Sequence, residues 1–207
     1  MYQPKKYKKD NPDYIFEFIK NHPFATFVLH GKSLLATHIP VLAEGTAENF
    51  RLYSHIANHN EQQPFLKNGV EGLLIFQGAN AYVSSSWYRK KNISTWDYSA
   101  VHINVKITVQ TPAKLKSSLE KLVHLFEKDQ QNPLFYKDIP SEILRENLPQ
   151  ITGFWCDPTR IEAVAKLHQS YEAHDVLSVV EKLSGMENPM AKCLAKDIQE
   201  EHGLNEL

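Results

Sequence analysis

Most of the signatures that would assign a familiar chemistry to this 207-residue chain are absent. Only two cysteines occur, Cys156 and Cys193, far apart and without a CxxC partner, which disfavours a structural disulfide or a thiolate zinc site. No apolar run approaches the roughly 18–20 residues that cross a bilayer. The lysines near the N-terminus lead into no hydrophobic signal segment, so a cytoplasmic location without membrane contact is expected. There is no GxGxxG after a strand, no P-loop, no HExxH and no GxSxG, so a dinucleotide fold or nucleotide hydrolase would lack its phosphate cradle. Nor is there an excess of charge of one sign. Lys+Arg number 23 against 24 Asp+Glu, giving a net charge of −1 and no global basic field for nucleic acid. The one local exception is Lys5, Lys6, Lys8 and Lys9, a pattern most often found in solvated tails. Repeats, low-complexity tracts and convincing linkers are missing as well.

What is present concentrates between Leu73 and Val101. Two Trp, three Tyr, a run of serines and the cations Arg89, Lys90 and Lys91 share this stretch. The mixture suits a pocket for a flat aromatic ligand with an anionic tail, in which aromatic surface holds the ring and hydroxyls and cations take the charge. Core tryptophans beside a solvated basic loop would account for the same composition.

Along the chain, Asn11-Pro12 caps and starts a helix over 12–21, with Tyr14, Ile15, Phe18 and Ile19 on one face. Phe24–His30 and Ser33–Ala43 form a hairpin through Gly31-Lys32, with Pro40 requiring an edge or a bulge. Phe50–Ile56 is a third strand, followed by a polar loop and a helical turn near Phe65. Leu73–Phe76 and Ala81–Val83 read as two short strands separated at Gln77-Gly78. Ser99–Val109 alternates strictly, as a half-buried antiparallel strand does. Thr111-Pro112 opens a second helix through about residue 129. A short helix near 141–147, strands at Ile151–Phe154 and Ile161–Leu167, and a helical segment from Tyr171 complete the chain. Hairpins interrupted by helices, rather than alternating with them, exclude a βαβ parallel sheet. The expected fold is α+β, mainly β: an antiparallel split β-barrel with peripheral helices. The barrel would occupy 1–170, with a helical appendage at 171–207.

Ten histidines invite a metal site. His55 and His59 have i,i+4 ligand spacing, and His38 and His102 could converge with them, but no carboxylate ligand accompanies them. Hydrogen-bonding roles in a pocket or interface are preferred, and no metal is expected. Anion candidates are Arg89, Lys90 and Lys91, then Lys166 with Gln169 and Ser170, and the backbone N–H groups of residues 57–59. With the aromatic loop, these describe a phosphate-bearing heteroaromatic ligand, for which FMN is the natural fit.

Several motifs resemble one family: Met1-Tyr2-Gln3-Pro4-Lys5, His22-Pro23-Phe24-Ala25-Thr26, Thr37-His38-Ile39-Pro40 and Ser54-His55-Ile56-Ala57-Asn58-His59-Asn60. Phe76-Gln77-Gly78, Ala81-Tyr82-Val83-Ser84, Ser86-Trp87-Tyr88 and Thr95-Trp96-Asp97-Tyr98-Ser99-Ala100-Val101-His102 continue the series in order. The chain is similar to the PaiB-type family, FMN-binding negative transcriptional regulators of bacteria. The resemblance implies an FMN-type split barrel working as a homodimer, with flavin at or near the interface. Carried over by motif, His38 and Ile39 would lie beside the ring. Ser54, His55, Ile56, Ala57, Asn58, Gln77 and Gly78 would line the cleft. Ser84, Ser86, Trp87, Tyr88, Thr95, Trp96 and Tyr98 would form its loop wall, with Lys166 toward the phosphate. This chain departs from the family pattern at Ala57-Asn58-His59-Asn60 (Arg-Ala-Asn-Pro there), at Ser85 (Pro) and at Asp97 (Asn). It departs again at Ala163 to Ser170, where the family shows Lys-Trp-Lys-Leu-Ser-Gln-Asn.

Three functions follow as alternatives. A flavin-binding transcriptional regulator, with DNA as a possible partner, is preferred on the resemblance. An FMN-dependent oxidoreductase would draw its acid or base from Tyr98 or His102. A haem-handling barrel would use the histidines, although no ligand motif is present.

Overall fold

A computed structural model describes residues 1–90 and 92–204. The strands are β1 (Phe24–His30), β2 (Leu34–Pro40), β3 (Leu42–Thr46), β4 (Asn49–Ala57), β5 (Glu71–Val83), β6 (Thr95–Val109) and β7 (Ile151–Lys166). The helices are α1 (Pro12–Asn21), α2 (Pro112–Glu127), α3 (Ser141–Asn147), α4 (Ala173–Ser184) and α5 (Pro189–Glu201). Two helix starts follow from the caps read in the sequence. Asn11 Oδ1 accepts from the backbone N–H of Asp13 at 2.8 Å and of Tyr14 at 3.2 Å. Thr111 Oγ1 accepts from Lys114 N at 3.4 Å.

All strands belong to one seven-stranded sheet of order β2-β1-β5-β6-β7-β4-β3. The pairings of β1 with β2 and β5, and of β4 with β3 and β7, are antiparallel. β2 and β3 stand at opposite ends of this order, yet only Val41 separates them in sequence. The two edges of the sheet therefore meet there, which is what an antiparallel barrel requires. Pro40 ends the edge strand β2, where its missing N–H interrupts nothing. Ser54 of β4 fastens the same point, its Oγ donating to the Pro40 carbonyl at 2.6 Å.

Three strands differ from expectation. Ser33–Ala43 is not one strand but two, divided at Val41, whose N–H turns to the Pro23 carbonyl at 2.7 Å. Gln77-Gly78 does not break the chain: β5 runs unbroken through 13 residues, and Gly78 is a buried strand position. β7 likewise continues for 16 residues through Pro158. Beside that proline, Thr159 Oγ1 donates to the Asn104 carbonyl at 3.1 Å, a side chain supplying a polar contact where the proline has no N–H to give.

Close contacts divide the chain into two units, and β5, β6 and β7 run through both. One unit comprises Ile19–Phe76 and His102–Ile161. Its core includes Phe27 against Phe154, with ring centroids 5.2 Å apart, and the fully buried Leu29, Leu52, Leu74, Ile103 and Ile107. Gln62, 0% exposed, lies beneath the β1–β2 hairpin. Its Nε2 donates to the Phe27 carbonyl at 3.1 Å and to the Leu35 carbonyl at 3.0 Å. Asn60 fixes this clip by accepting from Gln62 N at 2.9 Å.

The other unit comprises Met1–Phe18, Gln77–Val101 and Glu162–Leu207. Residues 171–204 are thus not a unit of their own. Small β5 side chains, Ala79 and Ala81, with Val83, Ala165 and Leu167, form one core with Val176, Val179, Val180 and Leu183 of α4 and Ala191, Leu194, Ala195 and Ile198 of α5. Alanine on the strand lets the helix side chains approach the sheet closely. No helix among the described residues is long and apolar enough to cross a membrane.

Gln62→Ala removes both bonds to the hairpin and leaves two buried carbonyls short of a donor. Chemical denaturation should show a loss of about 2–4 kcal/mol. A loss under about 0.5 kcal/mol, the range of neutral surface changes, would show that the clip is not what holds the hairpin.

Candidate functional site

The unit carrying α4 and α5 holds a polar cluster where β6 begins and β7 ends. Asp97 and His168 are each 1% exposed. A buried carboxylate is costly unless charge and hydrogen bonds surround it, and Asp97 has both. Its Oδ2 meets Nδ1 of His168, and Lys166 Nζ stands 3.5 Å from Oδ1. Lys166 also donates to Thr95 Oγ1 and, at 2.8 Å, to the Trp96 carbonyl. The far side of His168 is closed by Tyr88, whose Oη lies 3.0 Å from Nε2, and by the Tyr171 ring stacked at 4.2 Å. Burial, then the neighbouring Tyr171 hydroxyl and the carboxylates of Asp97 and Asp175, raises the Tyr88 pKa well above the ordinary phenol value, so its hydroxyl stays protonated. His168 and Ser170 adopt left-handed backbone angles, φ 63° and 74°, which cost on the order of 1 kcal/mol each for non-glycine residues. That turn lets β7 leave the sheet while its imidazole enters the interior.

On the opposite face of β5 and β6, Trp96 and Tyr82 are exposed. Trp96 is 54% exposed, and its indole N–H donates to Asn80 Oδ1 at 3.1 Å. Tyr82 lies beside it, ring centroids 6.3 Å apart. A hydrogen-bonded, exposed indole is thus flanked in sequence by the Thr95 hydroxyl that Lys166 holds. Ser84 and Ser86 add hydroxyls 2.8 Å apart.

The expected site residues divide between the units. Gln77, Gly78, Ser84, Ser86, Trp87, Tyr88, Thr95, Trp96, Tyr98 and Lys166 fall in this one. Trp87 and Tyr88 do not stand on an open wall. Tyr88, 8% exposed, is a core residue, and Trp87 packs partly against that core while its carbonyl accepts from Ser178 Oγ at 2.8 Å. Ring size and polarity alone cannot distinguish a ligand-facing aromatic from one that α4 covers. Tyr98 is half-buried against Tyr7, Ala100 and Val164. Arg89 and Lys90 are exposed, and the Arg89 N–H donates to Asp175 at 2.8 Å. Lys91 lies outside the described residues.

His38, Ile39 and Ser54 to Asn58 fall in the other unit. His38 is exposed and stacks on Phe24 at 5.9 Å, while Ile39 is buried. Ser54 is buried and committed to Pro40, as described. Ile56 is buried and Ala57 half-buried. Asn58 is fully engaged: N donates to Gln150 O, Nδ2 to Pro149 O, and Oδ1 accepts from Thr152 Oγ1 at 2.6 Å. It clasps the start of β7 through its backbone N–H and both ends of its side-chain amide. His55 lies within β4 and His59 in the turn beyond, so their spacing is not that of a helical face. His102 is half-buried in β6. Asp97 and His168, which organise the polar cluster, were not among the expected ligands. Their signal was the pair of departures from the family pattern, an acid for an amide and an imidazole for a hydroxyl, which fall on side chains in contact.

An antiparallel sheet of this order with its two edges joined is a split barrel. Residues 1–160 match the family model described as "Putative FMN-binding domain", and the chain belongs to that family, whose cofactor is FMN. The chain is 33% identical over 198 residues, 95% of each sequence, to "Protease synthase and sporulation protein PAI 2" of Bacillus subtilis. Among solved structures it is similar to an FAD and heme binding protein from Mycobacterium smegmatis. That match has a TM-score of 0.60 and 13% identity, covering 83% of this chain and 80% of the other. The flavocytochrome Anf3 from Azotobacter vinelandii matches with a TM-score of 0.53 and 11% identity, over 78% and 72% of the two chains. These two likenesses establish the fold.

In kind, the groups of this unit suit a flavin phosphate and ring: a lysine with a threonine hydroxyl, a pair of serines, and an exposed indole. Among the described residues, no group of three or more His, Cys, Asp or Glu is placed to hold a metal ion.

Burial lowers the His55 pKa from its ordinary value, because desolvation penalises the imidazolium. The unfolded chain therefore binds a proton that the folded chain resists. This contribution is fully present above the unfolded value near about 6.5 and is lost as pH falls from there toward the lower folded value. Melting temperature should fall less steeply on acidification below about pH 6.5 for His55→Gln than for the unaltered chain. Parallel curves would remove His55 as a cause.

Proposed function

We propose that this chain is a homodimeric, FMN-binding transcriptional regulator of negative sign. The observation that carries the reading is the 33% identity over 95% of the chain to a relative whose name refers to protease synthesis and sporulation. Both are processes under genetic control, and neither is a reaction. The nearly balanced net charge is compatible with DNA contact through a local patch only. Within Lys5 to Lys9, Lys8 pairs with Asp10 at 2.8 Å and Lys9 with Glu201 at 2.5 Å, so Lys5 and Lys6 would supply most of such contact. Bound FMN supplies a redox-active isoalloxazine ring. The work assigned to this chain's residues is binding: Trp96 offers the ring an apolar surface, and Lys166 with Thr95 offers the phosphate a cation and a hydroxyl.

A second reading, an FMN-dependent oxidoreductase, is favoured by the fold shared with a protein described as a flavocytochrome. Tyr98 and His102, its candidate acid and base, belong to different units.

Titration of the purified chain with FMN should give a saturable change in flavin absorbance, and size-exclusion chromatography a dimer. Operator-bearing DNA should then bind with an affinity that falls steeply with salt. Bleaching of bound flavin by NADPH, with no DNA retained at low salt, would replace the regulator by the oxidoreductase. Absence of any flavin binding would overturn both.

A further inference from the structure

We propose that Asp97, held by His168, sets how strongly Lys166 can attract an anion, and thereby how far this chain distinguishes FMN from riboflavin. The inference rests on the reading that Lys166 receives the flavin phosphate, and it adds a residue that determines specificity together with its control.

Lys166 has three oxygen neighbours: Thr95 Oγ1, the Trp96 carbonyl and Asp97 Oδ1. Only the last is charged. At 3.5 Å it is an ion-pair partner, and Oδ1 has no hydrogen-bond partner of its own. The lysine side chain is 21% exposed whereas Asp97 is buried, so an anion arriving from solvent meets the ammonium first and the carboxylate behind it. Asp97 therefore offsets the lysine's charge from behind, while His168 Nδ1 holds its other oxygen.

The surroundings of His168 leave it well placed to act on Asp97. Tyr88 approaches Nε2 and Tyr171 covers the ring. Asp175 of α4 stands behind Tyr88, and Lys6 near Tyr171. From α5, His202 Nε2 meets the Leu167 carbonyl, and Glu201 takes Gln169. Asp97 is the carboxylate in contact with the ring itself, so the imidazole fixes where the carboxylate stands.

The experiment compares Kd values for FMN and riboflavin, which differ only in the phosphate, at about pH 8, where the phosphate is doubly ionised. Asp97→Asn should raise the preference for FMN by about tenfold, because the lysine then meets the anion with no carboxylate behind it. His168→Gln removes the imidazole but leaves the carboxylate, and should not raise the preference. A purely structural role for the pair would lower the melting temperature of both variants and shift the two ligands equally, and that result would overturn the proposal. So would a His168→Gln preference raised as far as that of Asp97→Asn. Lys166→Met separates the two levels. If it leaves the FMN-to-riboflavin ratio unchanged, the phosphate is not at Lys166 and the underlying reading falls as well. If it abolishes the preference while Asp97→Asn does nothing, the control by Asp97 alone is wrong.

Discussion

A buried carboxylate imposes a condition on everything around it. Transferring Asp97 out of water without compensation costs several kcal/mol, and the chain meets that cost with groups from distant positions. His168 lies 71 residues away in sequence, and its partner Tyr88 is 80 residues from it. To bring the imidazole inward, the chain turns through two left-handed residues immediately after β7. The same turn launches α4, so the route into the C-terminal helices and the neutralisation of Asp97 are one local solution. The cluster is also tied to the helices at its margins, through Gln169 with Glu201 and through Leu167 with His202.

The second organising fact is the two-sidedness of β5. Its alternation directs Ala79, Ala81 and Val83 into the core shared with α4 and α5, and leaves Asn80 and Tyr82 on the other face. The aromatic-rich stretch from β5 into β6 therefore serves two purposes. Trp87 and Tyr88 seal the helical core, while Trp96 and Tyr82 remain available to a ligand or a partner surface. Composition described their sum, but strand parity and the helices decide which ring does which.

This explains what the sequence made legible. Helix starts were readable because Asn11-Pro12 and Thr111-Pro112 carry their capping chemistry locally. The alternation of β6 was readable because its period persists for most of 15 residues. Gln77-Gly78 was over-read as a break in β5, and β7 was read as two strands although it runs on through Pro158, because neighbouring strands and a threonine side chain sustain the pairing. The fold class survived these errors because antiparallel order depends on the number of hairpins rather than on strand length. Site residues were harder. Ser54 and Asn58 belong to a motif-bearing stretch, yet their polar atoms are spent on Pro40, Pro149, Gln150 and Thr152, none adjacent in sequence. Whether a polar side chain is occupied by its own protein is a tertiary fact.

The Asp97–His168–Lys166 cluster is also a poor investment if stability alone is considered. Buried ion pairs are often matched or exceeded in stability by apolar residues of similar volume. The family pattern, with an amide and a hydroxyl at these two positions, would pose a smaller desolvation problem. Two titratable groups in their place add charge exactly where a lysine faces solvent, and two left-handed residues add strain beside them. Residual cost of this kind is informative when it collects at one corner of a binding fold. It is accounted for if the carboxylate acts on the lysine, because an amide at position 97 could pack in the same space but could not offset a cation.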